Sequence, residues 1–186
     1  MASFRIATIV GSLRKDSFNR QFADALVRLA PDDFEFFDAE IGDLPLYNQD
    51  HDDNQAEPVL RLKREIRGSN GVLFVTPEYN RAVPGVLKNA IDCASRPYGD
   101  SAWQGKPAAV VGVSIGAIGT AVAQAVLRHC LDYLDMPTLG QPEVYIQHKD
   151  GLYDASGEFS ADTRKFLQGW MDTYAAWVRK IDAQSR

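Results

Sequence analysis

The sequence predicts an α/β fold in which one five-stranded parallel sheet carries helices on both faces. Short apolar runs rich in β-branched residues, typical of strands buried on both faces, alternate with segments whose apolar residues recur every three or four positions. This alternation is the pattern of a doubly wound sheet with right-handed crossovers. At 186 residues and 45% hydrophobic content, the chain is long enough for one such domain, which we expect to span residues 1–186.

The first part of the chain predicts two strands separated by a helix. Residues 4–10 are apolar and β-branched and form the first strand. A helix follows and ends at Pro31, with an apolar stripe made of Phe18, Phe22, Leu26 and Leu29. Residues 34–37 predict the second strand, near a sheet edge. Residues 38–57 carry many acidic and turn-forming residues, which predicts a long surface loop with three anchors: Leu44, Leu46 and Tyr47.

The rest of the chain repeats the strand and helix alternation. Pro58 opens a helix that runs to residue 67, and residues 71–76 form a fully buried strand. The further predicted strands are residues 107–114 and 138–146, the last one interrupted by Gly140 and Pro142. Helices are predicted after the third and fourth strands and at the carboxyl end, where the stripe consists of Phe166, Trp170, Tyr174, Trp177 and Ile181.

The helix after the fourth strand carries an unusually wide apolar surface. One row is formed by Val122, Val126, Cys130 and Tyr133, and a second by Leu127, Leu131 and Leu134. A surface helix needs less than this to cover one sheet face, so we expect part of the surface to contact a second subunit. The alternative is a helix that is fully covered within its own chain.

Charge and composition exclude several classes of partner. The formal charge of −5 and the pI near 5.2 give no general attraction to nucleic acid or to anionic lipid. No apolar stretch is long enough to span a bilayer, and we expect no membrane insertion and no signal peptide. Two cysteines and three scattered histidines lack the spacing of metal ligands, so we expect no metal, reduced thiols and a cytoplasmic location.

The loop after the first strand has the composition of a phosphate-binding turn. Gly11 frees the backbone, and four side chains that can donate hydrogen bonds follow closely: Ser12, Arg14, Ser17 and Asn19. A strand that leads through such a loop into a helix collects unpaired backbone N–H groups at the positive end of the helix dipole. The alternative is an ordinary turn in which Ser17 caps the helix and Arg14 is solvated.

Two further strand ends open onto unusual loops, at residues 77–80 and 114–119. With a strand order of 2-1-3-4-5, all three loops meet at the switch point of the sheet, where such folds bind ligands. The chain lacks the GxGxxG motif after its first strand and has no GxxxxGK[ST], which disfavours dinucleotide-binding and NTPase arrangements. A mononucleotide with a large planar head would use all three loops.

Two motifs in this order resemble the NADPH-dependent FMN reductase family, and within it the bacterial quinone and chromate reductases most of all. They are GSLRKDSFN at residues 11–19 and PEYNRAVPGVLKNAID at residues 77–92. The resemblance implies a flavodoxin-like three-layer sandwich, FMN as cofactor and NADPH or NADH as co-substrate. It also implies a small-molecule electron acceptor, such as a quinone, chromate, an azo compound or free flavin, and a homodimer or homotetramer, to which an Arg128–Glu143 pair between subunits would contribute.

The resemblance also assigns site residues. The FMN phosphate would be held by Ser12, Leu13, Arg14, Ser17, Phe18 and Asn19. The isoalloxazine edge would meet Pro77, Glu78, Tyr79 and Asn80, and its far side would lie against Ser114, Ile115 and Gly116. No side chain is expected as a catalytic acid or base, because the flavin N5 carries the chemistry. The sequence departs from relatives at Cys93, where tryptophan is frequent, and at Thr120, where some have glycine.

Two charged residues near the expected flavin edge have open roles. Arg81 is a candidate on the substrate side, or a solvated loop arginine. The backbone of Glu78 is expected to matter more than its carboxylate, with turn geometry or a salt link to Lys88 or Arg81 as its alternative role. A flavodoxin-like electron carrier, or a flavin-binding sensor without nicotinamide turnover, is the alternative to a reductase, and no residue distinguishes NADPH from NADH.

Overall fold

A computed structural model describes residues 4–184 and has a five-stranded parallel sheet in the order β2-β1-β3-β4-β5, as predicted. The strands are β1 Phe4–Val10, β2 Phe34–Asp38, β3 Gly71–Val75, β4 Ala108–Ser114 and β5 Tyr145–Gln147. The central strands β1, β3 and β4 are those that open onto the three loops of interest. The predicted domain spans residues 1–186, of which residues 1–3 and 185–186 lie outside the described part.

Five α-helices cover the sheet: α1 Phe18–Val27, α2 Glu57–Arg67, α3 Gly85–Ala94, α4 Ala121–Tyr133 and α5 Ala161–Gln184. Alternate strand residues point to opposite faces of the sheet. Ile6 and Leu73 pack in a core with α1 and α5, whereas Ala7 and Val72 pack in a second core with α2, α3 and α4. The structure is therefore the expected three-layer sandwich.

The fifth strand is much shorter than the predicted residues 138–146. Only Tyr145–Gln147 pairs with β4 as a strand, and Thr138 forms an isolated bridge to Ala108. Between these two contacts stand Gly140 and Pro142, and proline has no N–H to donate to a neighbouring strand. The chain therefore touches the sheet edge twice instead of pairing along it.

The long segment after β2 is better anchored than predicted. It contains a short 3₁₀ helix, Gln49–Asn54, and Ala39 and Ile41 are buried, whereas Leu46 is 84% exposed. The prediction of Leu46 as an anchor was wrong. Asn89 of α3 instead holds the backbone on either side of Leu46: its Nδ2 donates to the Pro45 carbonyl oxygen (2.9 Å) and its Oδ1 accepts from the Tyr47 amide (2.8 Å).

Helix α5 buries only part of the predicted apolar stripe. Trp170 and Tyr174 are buried as predicted, but Phe166 is 47% exposed. Leu167 and Met171 lie inside instead, because with Trp170 and Tyr174 they form one continuous row at intervals of three and four residues. Phe166 also lies four positions before Trp170, so the periodicity alone did not distinguish the exposed edge of the row from the buried one.

Helix α4 buries one part of its wide apolar surface and leaves another part exposed. Leu127 and Leu131 are fully buried, whereas Val122, Val126 and Tyr133 are 38%, 40% and 77% exposed. Arg128 is engaged within its own chain, where its guanidinium donates to the Leu139 carbonyl oxygen at 2.6 Å. The outer row of α4 is thus open, while the arginine expected in a subunit contact already has an intramolecular partner.

Candidate functional site

The loop between β1 and α1 passes close to the loop after β3. The amide of Gly11 donates to the carbonyl oxygen of Val75 at 2.9 Å. A Cβ atom at Gly11 would lie 3.1 Å from Leu87 Cδ2 and 3.4 Å from Pro77 Cδ. Glycine therefore permits the close approach that joins the first loop to the second at the carboxyl edge of the sheet.

The start of α1 presents a row of free backbone donors. Ser17 is the N-cap, and its Oγ accepts from the Arg20 amide at 3.3 Å, which is the capping role given above as the alternative. Within the described chain, the amides of residues 12–18 donate to no protein acceptor. Free amides together with the positive end of a helix dipole form a site suited to an anion.

The Asn19 side chain has a structural task. It is buried, its Nδ2 donates to the carbonyl oxygen of Val113 at 2.9 Å, and its Oδ1 accepts from the Val113 amide at 3.0 Å. Both ends of the carboxamide are thereby used to fasten α1 to β4. Any contribution of Asn19 to phosphate binding falls to its backbone amide.

Arg14 is one of two cations in this loop, the other being Lys15. Its guanidinium lies over the Phe18 ring, 4.5 Å from the ring centroid, and donates to the carbonyl oxygen of Asp16. Among the ion pairs of residues 4–184, none involves Arg14, so its charge is not neutralised by a carboxylate. An open cavity of about 730 Å³ is lined here by Arg14, Lys15, Asp16, Ser17 and Phe18, with Gly157 among the residues opposite.

The loop after β3 ends in a tight two-residue turn. Tyr79 and Ala82 exchange backbone hydrogen bonds of 3.0 and 3.2 Å, and the two residues between them, Asn80 and Arg81, have φ angles of 52° and 61°. Positive φ at both central residues matches the type I′ turn, in which asparagine is well tolerated and arginine is strained. The turn projects Asn80 and Arg81 into solvent beside the third loop.

The carboxylate of Glu78 has a role that the sequence did not predict. Its side chain is only 6% exposed, and its Oε2 accepts from the amides of Val122 and Ala123, each at 3.0 Å. Thr120, the N-cap of α4, makes no side-chain cap, so Glu78 provides the cap from another loop. The carboxylate therefore has a structural role in addition to whatever the Glu78 backbone contributes at the flavin.

The electrostatics of Glu78 agree with this role. Arg81 Nη1 lies 2.8 Å from its Oε1, which confirms one of the two predicted salt links, while Lys88 pairs with Asp92 instead. Burial raises the pKa of Glu78, but the hydrogen bond from the Ala123 amide and the contact with Arg81 outweigh it, and the pKa is lowered overall. Glu78 is thus held as a carboxylate and has no free role as a proton carrier.

The third loop, which follows β4, is compact and presents apolar side chains to solvent. Ser114 Oγ donates to the Gly119 carbonyl oxygen and accepts from the Gly116 amide at 3.2 Å. Gly119 has a φ of 60°, and a Cβ there would lie 2.8 Å from the Tyr145 carbonyl carbon, so glycine is required. Ile115 is 72% exposed at the tip of this loop and Ile118 is 45% exposed.

The second and third loops form a cleft of about 250 Å³. Its lining includes six of these residues: Glu78, Asn80, Arg81, Ser114, Ile115 and Gly116. Of the other predicted residues, Pro77 is buried against Gly11 and Tyr79 is half exposed. Ser12 is half-buried, and Leu13 is exposed beside Gly42 of the long segment. Arg14, Ser17 and Phe18 line the cavity at the start of α1, which together with the free amides of residues 12–18 forms the anion cradle. The predicted residues Ser12, Leu13, Asn19, Pro77 and Tyr79 are not among the residues that line either cavity.

Comparison with known proteins identifies the family to which this chain belongs. Residues 4–151 match the sequence model of the family described as NADPH-dependent FMN reductase. The chain belongs to this family. The FMN reductase family is the one that the two sequence motifs resemble, and its match spans β1 to β5 and all three loops.

Individual FMN reductase relatives are similar over nearly the whole chain. A 2-hydroxy-1,4-benzoquinone reductase of a Burkholderia species is 56% identical over 95% of this chain and 97% of its own length. A quinone reductase of Pseudomonas putida is 53% identical, over 95% of both chains. The solved structure of a flavoenzyme NAD(P)H:(acceptor) oxidoreductase from Paracoccus denitrificans superposes with a TM-score of 0.91 at 48% identity, covering 95% of this chain and 98% of that one.

These findings confirm the expected class, an FMN-dependent oxidoreductase that uses NAD(P)H. The site itself fits FMN, because a phosphate needs several converging donors and residues 12–18 offer free amides beside an unneutralised arginine. The cleft between the second and third loops can accept the edge of a planar ring system.

Two other properties concern the described residues as a whole. Across residues 4–184, no three His, Cys, Asp or Glu side chains are arranged to hold a metal ion. Within the same range, no helix has the length and apolar character needed to cross a bilayer. Cys93 and Cys130 are free thiols, the first buried and the second partly so.

Proposed function

We propose that this FMN reductase transfers electrons from NADH or NADPH to a quinone-type acceptor that docks on the flavin between the second and third loops. The observation that carries the proposal is the open cleft, which lies beside an anion cradle and has exposed isoleucines at its rim. An apolar rim suits a small planar acceptor. The names of the relatives, two of them quinone reductases, support the same class of acceptor.

The first loop is proposed to hold the FMN phosphate. Its free amides and the Arg14 guanidinium provide the positive potential, while Ser17 and Asn19 keep the start of α1 fixed to the sheet. The residues assigned to this task are Ser12, Leu13, Arg14, Ser17, Phe18 and Asn19. Because the loop is preorganised, phosphate binding requires little further ordering of the chain.

The other two loops are proposed to position the ring. When bound, FMN supplies the N5 atom that accepts the hydride. Pro77, Glu78, Tyr79 and Asn80 would border one edge, and Ser114, Ile115 and Gly116 the other. No side chain is proposed as a catalytic acid or base, since Glu78 is bound to two amides and an arginine. Backbone donors at the ring edge would stabilise negative charge on reduction.

Arg81 is proposed to face the substrates. Its guanidinium is 69% exposed although it touches Glu78, so part of its charge is available at the mouth of the cleft. NADH and NADPH are anionic, and an exposed cation at this place would attract either one. Arg81 therefore provides attraction to the reductant but no discrimination between the two nucleotides.

A second copy of the chain is proposed to cover the outer row of α4. Val122, Val126 and Tyr133 stay exposed in the single chain, and a homodimer or homotetramer would bury them. Light scattering coupled to size-exclusion chromatography tests this, because Val126→Asp is expected to yield monomers.

We also propose a cytoplasmic location. Two free thiols support it, because thiols stay reduced in the cytoplasm. Cell fractionation tests this location.

Steady-state kinetics on the purified protein test the proposed reaction. We expect a flavin absorption spectrum, oxidation of NADPH or NADH that accelerates with 1,4-benzoquinone, and parallel double-reciprocal lines, as in ping-pong kinetics. Chromate, an azo dye and free FMN serve as competing acceptors in the same assay. Bound flavin without nicotinamide oxidation would identify an electron carrier or a sensor instead, and a folded protein that retains no flavin would contradict the proposal altogether.

A further inference from the structure

The imidazole of His148, just after β5, lies flat against the ring of Phe18. Their centroids are 3.7 Å apart and their planes differ by 20°. Phe18 is the first residue of α1 and lines the cavity beside the anion cradle. A residue 130 positions away in sequence therefore packs against the first residue after the first loop.

Phe18 is held between two groups. His148 covers one face of its ring at stacking distance, so the Arg14 guanidinium, 4.5 Å from the same centroid, must lie over the opposite face. A cation over an aromatic face and two stacked rings are both favourable contacts. The position of Arg14 thus depends on Phe18, and the orientation of Phe18 depends on His148.

The imidazole of His148 also contacts a series of further aromatic rings. Tyr153 lies 6.4 Å from it, centroid to centroid, and stacks at 5.4 Å on Phe159, which is buried and meets Phe22 of α1 edge to face at 5.3 Å. The series of rings leads from the cradle into the core between the sheet and α1. His148 consequently cannot move away from Phe18 without disturbing that packing.

The same segment is bonded to the third loop. The His148 amide donates to the Ser114 carbonyl oxygen at 2.7 Å, and Gln147 Nε2 donates to the Ile115 carbonyl oxygen at 3.1 Å. The end of β5 therefore touches the first loop through a side chain and the third loop through hydrogen bonds. It thereby connects the first loop, which is proposed to hold the phosphate, to the third loop, which is proposed to border the ring.

We propose that His148 is a positioning residue for FMN, which acts by stacking on Phe18 and so holding Arg14 at the phosphate. This inference rests on the proposed FMN site. The imidazole Nδ1 is buried without a partner, and in residues 4–184 the ring makes no side-chain hydrogen bond. Its contribution is the flat face, so another aromatic ring can replace it.

The discriminating measurement compares FMN with riboflavin, which lacks the phosphate. Apo-protein is titrated with each flavin, and the quenching of flavin fluorescence gives the two dissociation constants. His148→Ala is expected to weaken FMN binding by roughly three- to tenfold, the range that the loss of a stacked pair gives. Riboflavin binding should stay within about twofold of the wild-type value, because the cradle does not contact it.

Two further variants separate stacking from folding. His148→Phe keeps a flat ring and is expected to restore FMN affinity, whereas His148→Leu fills similar volume without a flat face and should behave like His148→Ala. His51→Ala, at an exposed histidine in the 3₁₀ helix, is the matched control. Circular dichroism and the melting temperature of each apo-protein show whether the variant is folded.

A double variant tests the route through Arg14. If His148 acts by placing that guanidinium, His148→Ala should cost little further FMN affinity in an Arg14→Ala background, since coupled residues are not additive. Full additivity, equal weakening of FMN and riboflavin, or unchanged FMN binding by folded His148→Ala would each overturn the inference. Wild-type protein that binds no FMN would instead contradict the proposed function.

Discussion

The proposed site has a phosphate side, formed by the first loop, and a ring side, formed by the second and third loops, and the two sides are held in place differently. On the phosphate side, Ser17 and Asn19 are buried and hydrogen-bonded, and Asn19 connects α1 directly to β4. On the ring side, the turn at Asn80 and the tip at Ile115 stand in solvent, and the single buried carboxylate, that of Glu78, holds the start of α4. The phosphate side is fixed to β4, whereas the ring side is fixed to the start of α4, a helix with an open apolar row, and to the end of β5.

The difference matches what each side has to do. A cofactor that stays bound through many turnovers benefits from a preorganised seat, because little ordering is then required on binding. Substrates that alternate at one ring need an accessible face and few specific contacts. The comparison predicts that changes on the phosphate side affect stability and FMN retention, while changes on the ring side affect substrate use.

The strongest test removes the joint between α1 and β4. Asn19→Ala leaves the Val113 amide and carbonyl oxygen buried without partners, which should lower the free energy of unfolding by about 3 kcal/mol. Urea unfolding followed by circular dichroism measures it. Asn54→Ala, at an exposed asparagine, is the control. A loss below about 1 kcal/mol would show that the phosphate side does not depend on this joint.

The next test removes the cation of the cradle. Arg14→Ala should weaken FMN binding about ten- to a hundredfold, the range for losing a charged hydrogen bond, with little change in the stability of the apo-protein. Fluorescence titration of apo-protein with FMN measures the affinity, and Arg64→Ala on α2 is the matched control. Equal affinity in the two variants would mean that the free amides of residues 12–18 suffice for the phosphate.

How far the sequence predicted these two sides depends on whether the interaction is local. Strand order and most helix faces follow from periodicity and were predicted. The Ser17 cap depends on contacts within three residues and was among the alternatives that the sequence offered. The bounds of β5 were not predicted, because its short pairing follows from two widely spaced contacts at the sheet edge. Phe166 was misplaced since a helical row can be drawn one position to either side.

The tasks of individual side chains were the least predictable part. Asn19 bonds to a residue 94 positions away, Glu78 caps a helix that starts beyond the next strand, and His148 stacks on the first residue of α1. Each pairing depends on the folded topology and leaves no pattern in the local sequence. The motifs located the loops correctly, but the structure was needed to distinguish side chains that hold the site together from groups left free for a ligand.

A smaller effect is expected from Glu78, with a characteristic dependence on pH. Because its pKa is lowered on folding, its carboxylate contributes stability above the ordinary value of 4.5, and this contribution is lost as the pH falls through the lowered folded value. Glu78→Gln should lower the free energy of unfolding by about 1 kcal/mol at pH 7, through the weakened cap of α4.

Urea unfolding at pH 7 and at successively lower pH tests this prediction. The difference between wild type and Glu78→Gln should shrink on acidification, whereas Glu57→Gln, at an exposed salt bridge on α2, should show little difference at any pH. A difference that is the same at every pH would mean that the Glu78 charge does not stabilise α4. The start of α4 would then be stabilised by packing and uncharged hydrogen bonds rather than by the Glu78 charge.

The smallest predicted effect separates acceptor binding from cofactor binding at a single side chain. Ile115 is 72% exposed at the rim of the cleft, so Ile115→Ser removes apolar surface that a docked acceptor would cover, while the loop backbone proposed to border the ring is kept. We expect KM for 1,4-benzoquinone to rise by roughly two- to fivefold, with kcat and FMN affinity unchanged, because contact with the rim contributes equally to ground and transition states. Leu46→Ser, at a leucine that is 84% exposed outside the cleft, is the control. If Ile115→Ser weakens FMN binding instead, then the tip of the third loop belongs to the cofactor seat, and the division between a fixed side and an open side must be drawn closer to Arg81.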